Sequence, residues 1–117
     1  MIRNNEEVLS LRFKICDNLK YDVDINRIVT VYEKQDHLIQ KFFRKFKVKI
    51  PMYRQIELDE YSSEVFIQID GNKTVEEIGN ELQRRFGEKV FPLYERLLVF
   101  LNYICTDCRY IEKVKQD

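Results

Sequence analysis

Glycine, proline and histidine are scarce in this chain, and tryptophan is missing. The three glycines, Gly71, Gly79 and Gly87, lie too far apart to form a phosphate-cradling loop, and there is no G-x-S-x-G elbow. With His37 as the single histidine, nucleophilic and general-base chemistry lacks its usual parts, so catalysis is not expected. Cysteine is also sparse. Cys105 and Cys108 form a lone C-x-x-C, and a structural zinc would need two more ligands from Cys16 and His37, which have no paired spacing. Neither a metal nor a resident cofactor is expected. An odd set of three cysteines fits free thiols in a reducing compartment. No uninterrupted apolar run is long enough to cross a bilayer, and acidic residues stand where a signal peptide would carry its apolar stretch, so the expected location is the cytoplasm, with no membrane partner. Lys plus Arg and Asp plus Glu both total 20, so the chain as a whole has no net field to attract nucleic acid.

What remains is enough for one hydrophobic core, and residues 1–117 are read as a single domain. Leu9, Leu11, Phe13 and Ile15 alternate with polar residues, as in a half-buried strand. Tyr21, Val23 and Ile25 alternate again, and a turn at Asn26–Arg27 leads into the β-branched run Ile28–Val31, which predicts a hairpin. Leu38, Ile39, Phe42, Phe43 and Phe46 share one helical face, with Asp36 as a cap. Period two returns at Val48, Ile50, Met52, Ile56 and Leu58, interrupted by Arg54. Pro51 cannot donate to a ladder and assigns that strand to a sheet edge.

From Asp59 the pattern is helical. Val65, Phe66 and Ile69 predict a first helix ending at Asp70–Gly71, with Ser62 and Ser63 satisfying backbone donors at its start. Thr74 and Glu77 form a capping box for a second helix that Gly87 closes, and Pro92 opens a third that runs to about Thr106. Tyr110 and Ile111 then lie back on the domain. The fold class is therefore α+β: an N-terminal three-stranded antiparallel sheet followed by three helices, in a winged helix-turn-helix arrangement.

In the third helix Phe100, Leu93, Ile104, Leu97, Leu101, Tyr94, Cys105 and Leu98 fill an apolar arc of roughly 160°, wider than one core requires. Either the protein covers both flanks itself, or one flank lines a slot. A helix reading the major groove would carry outward Arg, Lys, Asn or Gln, whereas this one offers Arg96 and Asn102 among apolar residues. Lys41, Arg44, Lys45, Lys47, Lys49 and Arg54 form a local basic patch, read as a solvated face or a docking surface.

The stretch LDEYSSEVFIQIDGNKTVEEIGNELQRRFGEKVFPLYERLLVFLNYICTDCRYI, Leu58 to Ile111, resembles the PqqD family of peptide chaperones, or RiPP recognition elements. IDGNKTVEEI carries the resemblance most specifically, supported by FGE and PLYERL. It is nearest the standalone members that accompany radical SAM peptide-modifying enzymes. Ser62–Ser63 stands where relatives have Gly-Ser, Phe66 where they often have Trp, and Cys108 where glycine is usual. The resemblance implies that the chain binds the leader of a ribosomally made precursor peptide as an added strand and presents it to a separate enzyme. The implied strand is Met52, Tyr53, Arg54, Gln55, Ile56 and Glu57. The implied helix contributes Tyr94, Leu98, Leu101 and Cys105, with the groove-facing flank left open between Leu98 and Phe100. The alternatives are a winged-helix nucleic-acid-binding regulator and a structural subunit of a larger enzyme.

Overall fold

The computed structural model describes residues 5–34, 45 and 53–115. The expected amphipathic helix over 36–46 lies outside those residues, as do Pro51, Met52 and all of the basic patch except Lys45 and Arg54. Among the described residues the elements run α1 (Asn5–Leu9), β1 (Phe13–Ile15), β2 (Lys20–Val23), β3 (Val29–Lys34), β4 (Tyr53–Glu57), α2 (Glu60–Gln68), α3 (Val75–Phe86), α4 (Leu93–Asn102) and β5 (Ile111–Lys113). A 3₁₀ turn at Gly87–Val90 joins α3 to α4, and α4 continues into a π turn at Tyr103–Asp107.

The chain is α+β, and its three-stranded antiparallel sheet has the order β2-β3-β4. The expected order of strands then helices is corrected at both ends. Leu9 closes helix α1 instead of opening a strand, so the alternation from Leu9 to Ile15 is strand only in its second half. That half, β1, joins no hairpin. It pairs antiparallel with β5, after the last helix, in a separate two-stranded sheet. Backbone bonds stitch it in place: Leu11 C=O accepts from Val75 N–H (2.9 Å), Phe13 C=O from Gly71 N–H (2.9 Å) and Tyr110 C=O from Cys16 N–H (2.9 Å). The first and last segments thus clamp the α2–α3 turn, burying Phe13, Tyr110 and Ile111.

Local chemistry accounts for the element boundaries. Asp24 Oδ1 accepts from Asn26 and Ile28 N–H (2.8 and 2.9 Å), which tightens the β2–β3 turn and places Arg27 at φ 64°, where a non-glycine residue is strained. Asp59 caps α2 by accepting from Ser62 N–H (2.7 Å). The capping box at α3 is complete, with Thr74 Oγ1 accepting from Glu77 N–H (3.2 Å) and Glu77 Oε1 from Thr74 N–H (3.0 Å). Core residues come from every layer: Val29 and Val31 from the sheet, Val65 and Phe66 from α2, Val75, Ile78 and Leu82 from α3, and Leu97 and Leu101 from α4.

Ser63 does not serve its own helix as a cap. Fully buried, its Oγ accepts from Val29 N–H (2.9 Å) and donates to Leu58 C=O (3.2 Å), bridging β3 and the end of β4 where the ladder splays into α2. Ser63→Ala is expected to strand both backbone groups and cost about 1–3 kcal/mol. Urea unfolding checks this as a lowered midpoint at unchanged m-value.

Candidate functional site

Register fixes which backbone groups β4 leaves unpaired. β3 and β4 pair Thr30 with Glu57, Val31 with Ile56, Tyr32 with Gln55 and Glu33 with Arg54, and Leu58 N–H donates to Val29 C=O (2.8 Å) one step beyond. Antiparallel pairs alternate between bonded and non-bonded. Ile56 and Arg54 therefore bond to β3, while the N–H and C=O groups of Tyr53, Gln55 and Glu57 point away from it. Among the described residues no strand lies beyond β4, so those groups form a free edge.

One open flank of α4 is apolar. Val99 is 72% exposed and Tyr103 52%, and together with Tyr61, Pro92, Glu95, Arg96 and Phe100 they line a cavity of about 460 Å³. Tyr103 also borders a larger cavity, of about 710 Å³, that includes Tyr53 and Arg54. Tyr103 thus joins the two cavities into one slot that reaches from Tyr61, just past the C-terminal end of β4, to Tyr53 and Arg54 near its N-terminal end. Arg96 covers the Tyr61 ring at 4.8 Å, and Phe100 meets the same ring edge-on at 6.3 Å. The Tyr61 hydroxyl is buried without a hydrogen-bond partner among the described residues, and this burial raises its pKa.

Charge is organised at the Arg54 end. Glu33 accepts from Arg54 Nη2 (2.8 Å) and from the Tyr110 hydroxyl, tying β3, β4 and the C-terminal segment together. Burial works to raise the Glu33 pKa, but these two hydrogen bonds and the Arg54 charge outweigh it, so the carboxyl lies below its ordinary value. Lys20 donates to the Tyr53 hydroxyl (3.0 Å) and lowers its pKa.

The expected strand residues Tyr53, Arg54, Gln55, Ile56 and Glu57 all lie on β4, with Met52 outside the described residues. The expected helix residues do not line the slot. Leu101 is 2% exposed in the core, and Leu98 and Cys105 pack against it. Tyr94 lies over α3, where Gly79 admits its ring; a Cβ there would come within 2.6 Å of it, and the hydroxyl donates to Glu76 C=O (3.4 Å). The wide arc is thus divided: its Tyr94–Leu98 flank faces the protein's own helices, and its Phe100 flank, extended by Val99 and Tyr103, is open. A helical wheel gives the width of an arc but not which side α3 covers. Tyr61, Val99 and Tyr103 were missed because Tyr61 belongs to another helix and the other two lie beyond the Phe100 edge of the arc.

Cys16, Cys105 and Cys108 carry free thiols. Among the described residues no group of three metal-ligating side chains converges, and no helix is long and apolar enough to cross a membrane. Compared with protein-family models, with curated proteins and with solved structures, the chain has no match.

Proposed function

We propose that this protein captures an extended peptide, the leader of a ribosomally made precursor, by strand addition at β4, and hands it to a separate peptide-modifying enzyme of the radical SAM class. One observation carries this reading: an edge strand with outward backbone groups at Tyr53, Gln55 and Glu57 shares a cavity, through Tyr53 and Arg54, with Tyr103 at the end of an exposed apolar helix flank. That pairing matches the two halves of strand-addition recognition, in which backbone bonds supply grip and side-chain pockets supply selectivity. The resemblance over Leu58–Ile111 points to the same strand and the same helix. In this reading the anchors are received by Tyr61, Val99, Phe100 and Tyr103, and Tyr94, Leu98, Leu101 and Cys105 support the helix from behind. A winged-helix frame, with the β2–β3 hairpin serving as the wing, is part of the proposal. No catalytic group or resident cofactor is needed, because the chemistry belongs to the partner. A nucleic-acid reading is weaker at this surface, since a slot lined by Tyr61, Val99 and Phe100 offers little to base edges or phosphates.

The test is calorimetric titration of the whole chain with synthetic leader peptides taken from short reading frames beside its gene. Binding in the micromolar range is expected, because ordering the peptide offsets much of the gross contact energy. If none of these peptides binds while the protein is folded, the reading is wrong.

A further inference from the structure

Among the described residues the sheet has a second free edge, on the side opposite β4. In β2, Asp22 pairs with Thr30 and Lys20 with Tyr32, and Asp24 N–H donates to Ile28 C=O (3.0 Å) in the same alternation. The backbone groups of Tyr21 and Val23 therefore point outward. Their side chains are 41% and 47% exposed, and Ile25 at the turn is 97% exposed, an apolar row that an unprotected edge rarely shows.

The sequence across this edge is self-complementary. Leu19, Lys20, Tyr21, Asp22, Val23, Asp24 and Ile25 read apolar, basic, apolar, acidic, apolar, acidic, apolar. If a second copy is laid antiparallel with the two-fold axis at Tyr21, Tyr21 meets its own copy as a bonded pair, since its backbone groups point outward. Leu19 meets Val23 twice on the same face, and Lys20 meets Asp22 twice on the other. Moving the axis to Asp22 would set that carboxylate against its own copy, and moving it to Val23 would set Asp22 against Asp24 twice, so charge selects the register centred on Tyr21. Lys20 has two N–H donors beyond the one given to Tyr53, and Asp22 has a second carboxylate oxygen beyond the Oδ2 that accepts from Tyr32.

We propose that β2 is a self-association edge, joining two copies of this chain into a continuous six-stranded sheet. The symmetry is isologous, with every contact made twice except the Tyr21 pair on the axis. Strands this short bury less than the roughly 1,200–2,000 Å² of a stable interface, so the dimer is weak and concentration-dependent. Both β4 edges remain free at its outer ends, and the inference does not depend on what they bind.

Sedimentation of the purified full chain from micromolar to millimolar concentration tests this. A monomer–dimer equilibrium is expected. Asp22→Asn should weaken it about two- to fivefold by removing the charge that faces Lys20 twice, while keeping an acceptor for the Tyr32 hydroxyl. Val23→Lys, at an exposed position the fold tolerates, should weaken it at least about tenfold because the misplaced charge occurs twice. Amide exchange supplies an independent signature: on dimerisation the N–H groups of Tyr21 and Val23 should gain protection, while that of Asp22, already bonded to β3, should not change. The proposal is overturned if wild type remains monomeric up to millimolar concentration, if either substitution leaves the dimer constant unmoved, or if the Tyr21 and Val23 amides exchange equally fast at all concentrations.

Discussion

Replacing Glu64 with glutamine is expected to cost about 2–3 kcal/mol of stability at neutral pH and far less in acid. The carboxylate sits on α2 at 3% exposure and accepts from Arg27 through two bonds (3.0 and 2.8 Å) and from Gln68 (2.6 Å), with Arg85 at 3.4 Å. Arg27 reaches it from the β2–β3 turn and Arg85 from α3, so one charge holds three elements together. Glutamine keeps the volume but loses the charge and one acceptor. Both arginines are part-exposed and can rehydrate, so the loss stays below that of a wholly buried pair. Burial acts to raise the Glu64 pKa, but the bonds from Arg27 and Gln68 and the charges of Arg27 and Arg85 prevail and leave it lowered. As pH falls, the unfolded chain takes up this proton first. The contribution is therefore full above the ordinary carboxylate range and lost as pH drops through the lowered folded value. Urea midpoints of wild type and Glu64→Gln should differ at pH 7 and converge in acid. A gap of equal size at both ends would show that the charge is not what stabilises.

Glu64 also shows where sequence reading stops. Nothing in the residues next to it on α2 names a partner, and only the fold brings the hairpin turn against it. Signals confined to a few neighbouring residues translated faithfully into structure: the Thr74–Glu77 box, the Gly87 stop at φ 60° and the alternation in the hairpin are all local arrangements of backbone bonds. Pairing over long separations was not legible. The alternation at Phe13–Ile15 marks a strand but cannot name its partner, which proved to be β5 almost a hundred residues on. Even Ser63, read correctly as satisfying a backbone donor, serves Val29 across the sheet and not its own helix.

The candidate site divides in the same way. Its strand was legible because the alternation that includes Ile56 and Leu58, interrupted by Arg54, is a local signal; Pro51, which assigned the strand to an edge, lies outside the described residues. The helix face was not legible, because Leu98 and Phe100 are equally apolar and only the position of α3, with Gly79 admitting Tyr94, decides which flank is covered.

Two substitutions on opposite walls of the slot should each remove most leader binding without unfolding the protein. Gln55 N–H points away from β3, so Gln55→Pro deletes no bond of the sheet. It does delete the central donor of the free edge and sets a ring where the added strand must approach, which is expected to weaken binding at least about tenfold. Val99 is 72% exposed and contributes little to the core, so Val99→Asp should be nearly neutral for stability. In the complex, however, its carboxylate would be buried against an apolar anchor and Phe100, for a loss of about a hundredfold. Leu98→Asp would separate nothing, since Leu98 packs against the core and its replacement would damage the fold. Calorimetry with the cognate leader, alongside urea curves for each variant, reads binding and stability independently. If Gln55→Pro folds and binds like wild type, the peptide does not add to β4; if Val99→Asp does so, the open flank of α4 is not its anchor site.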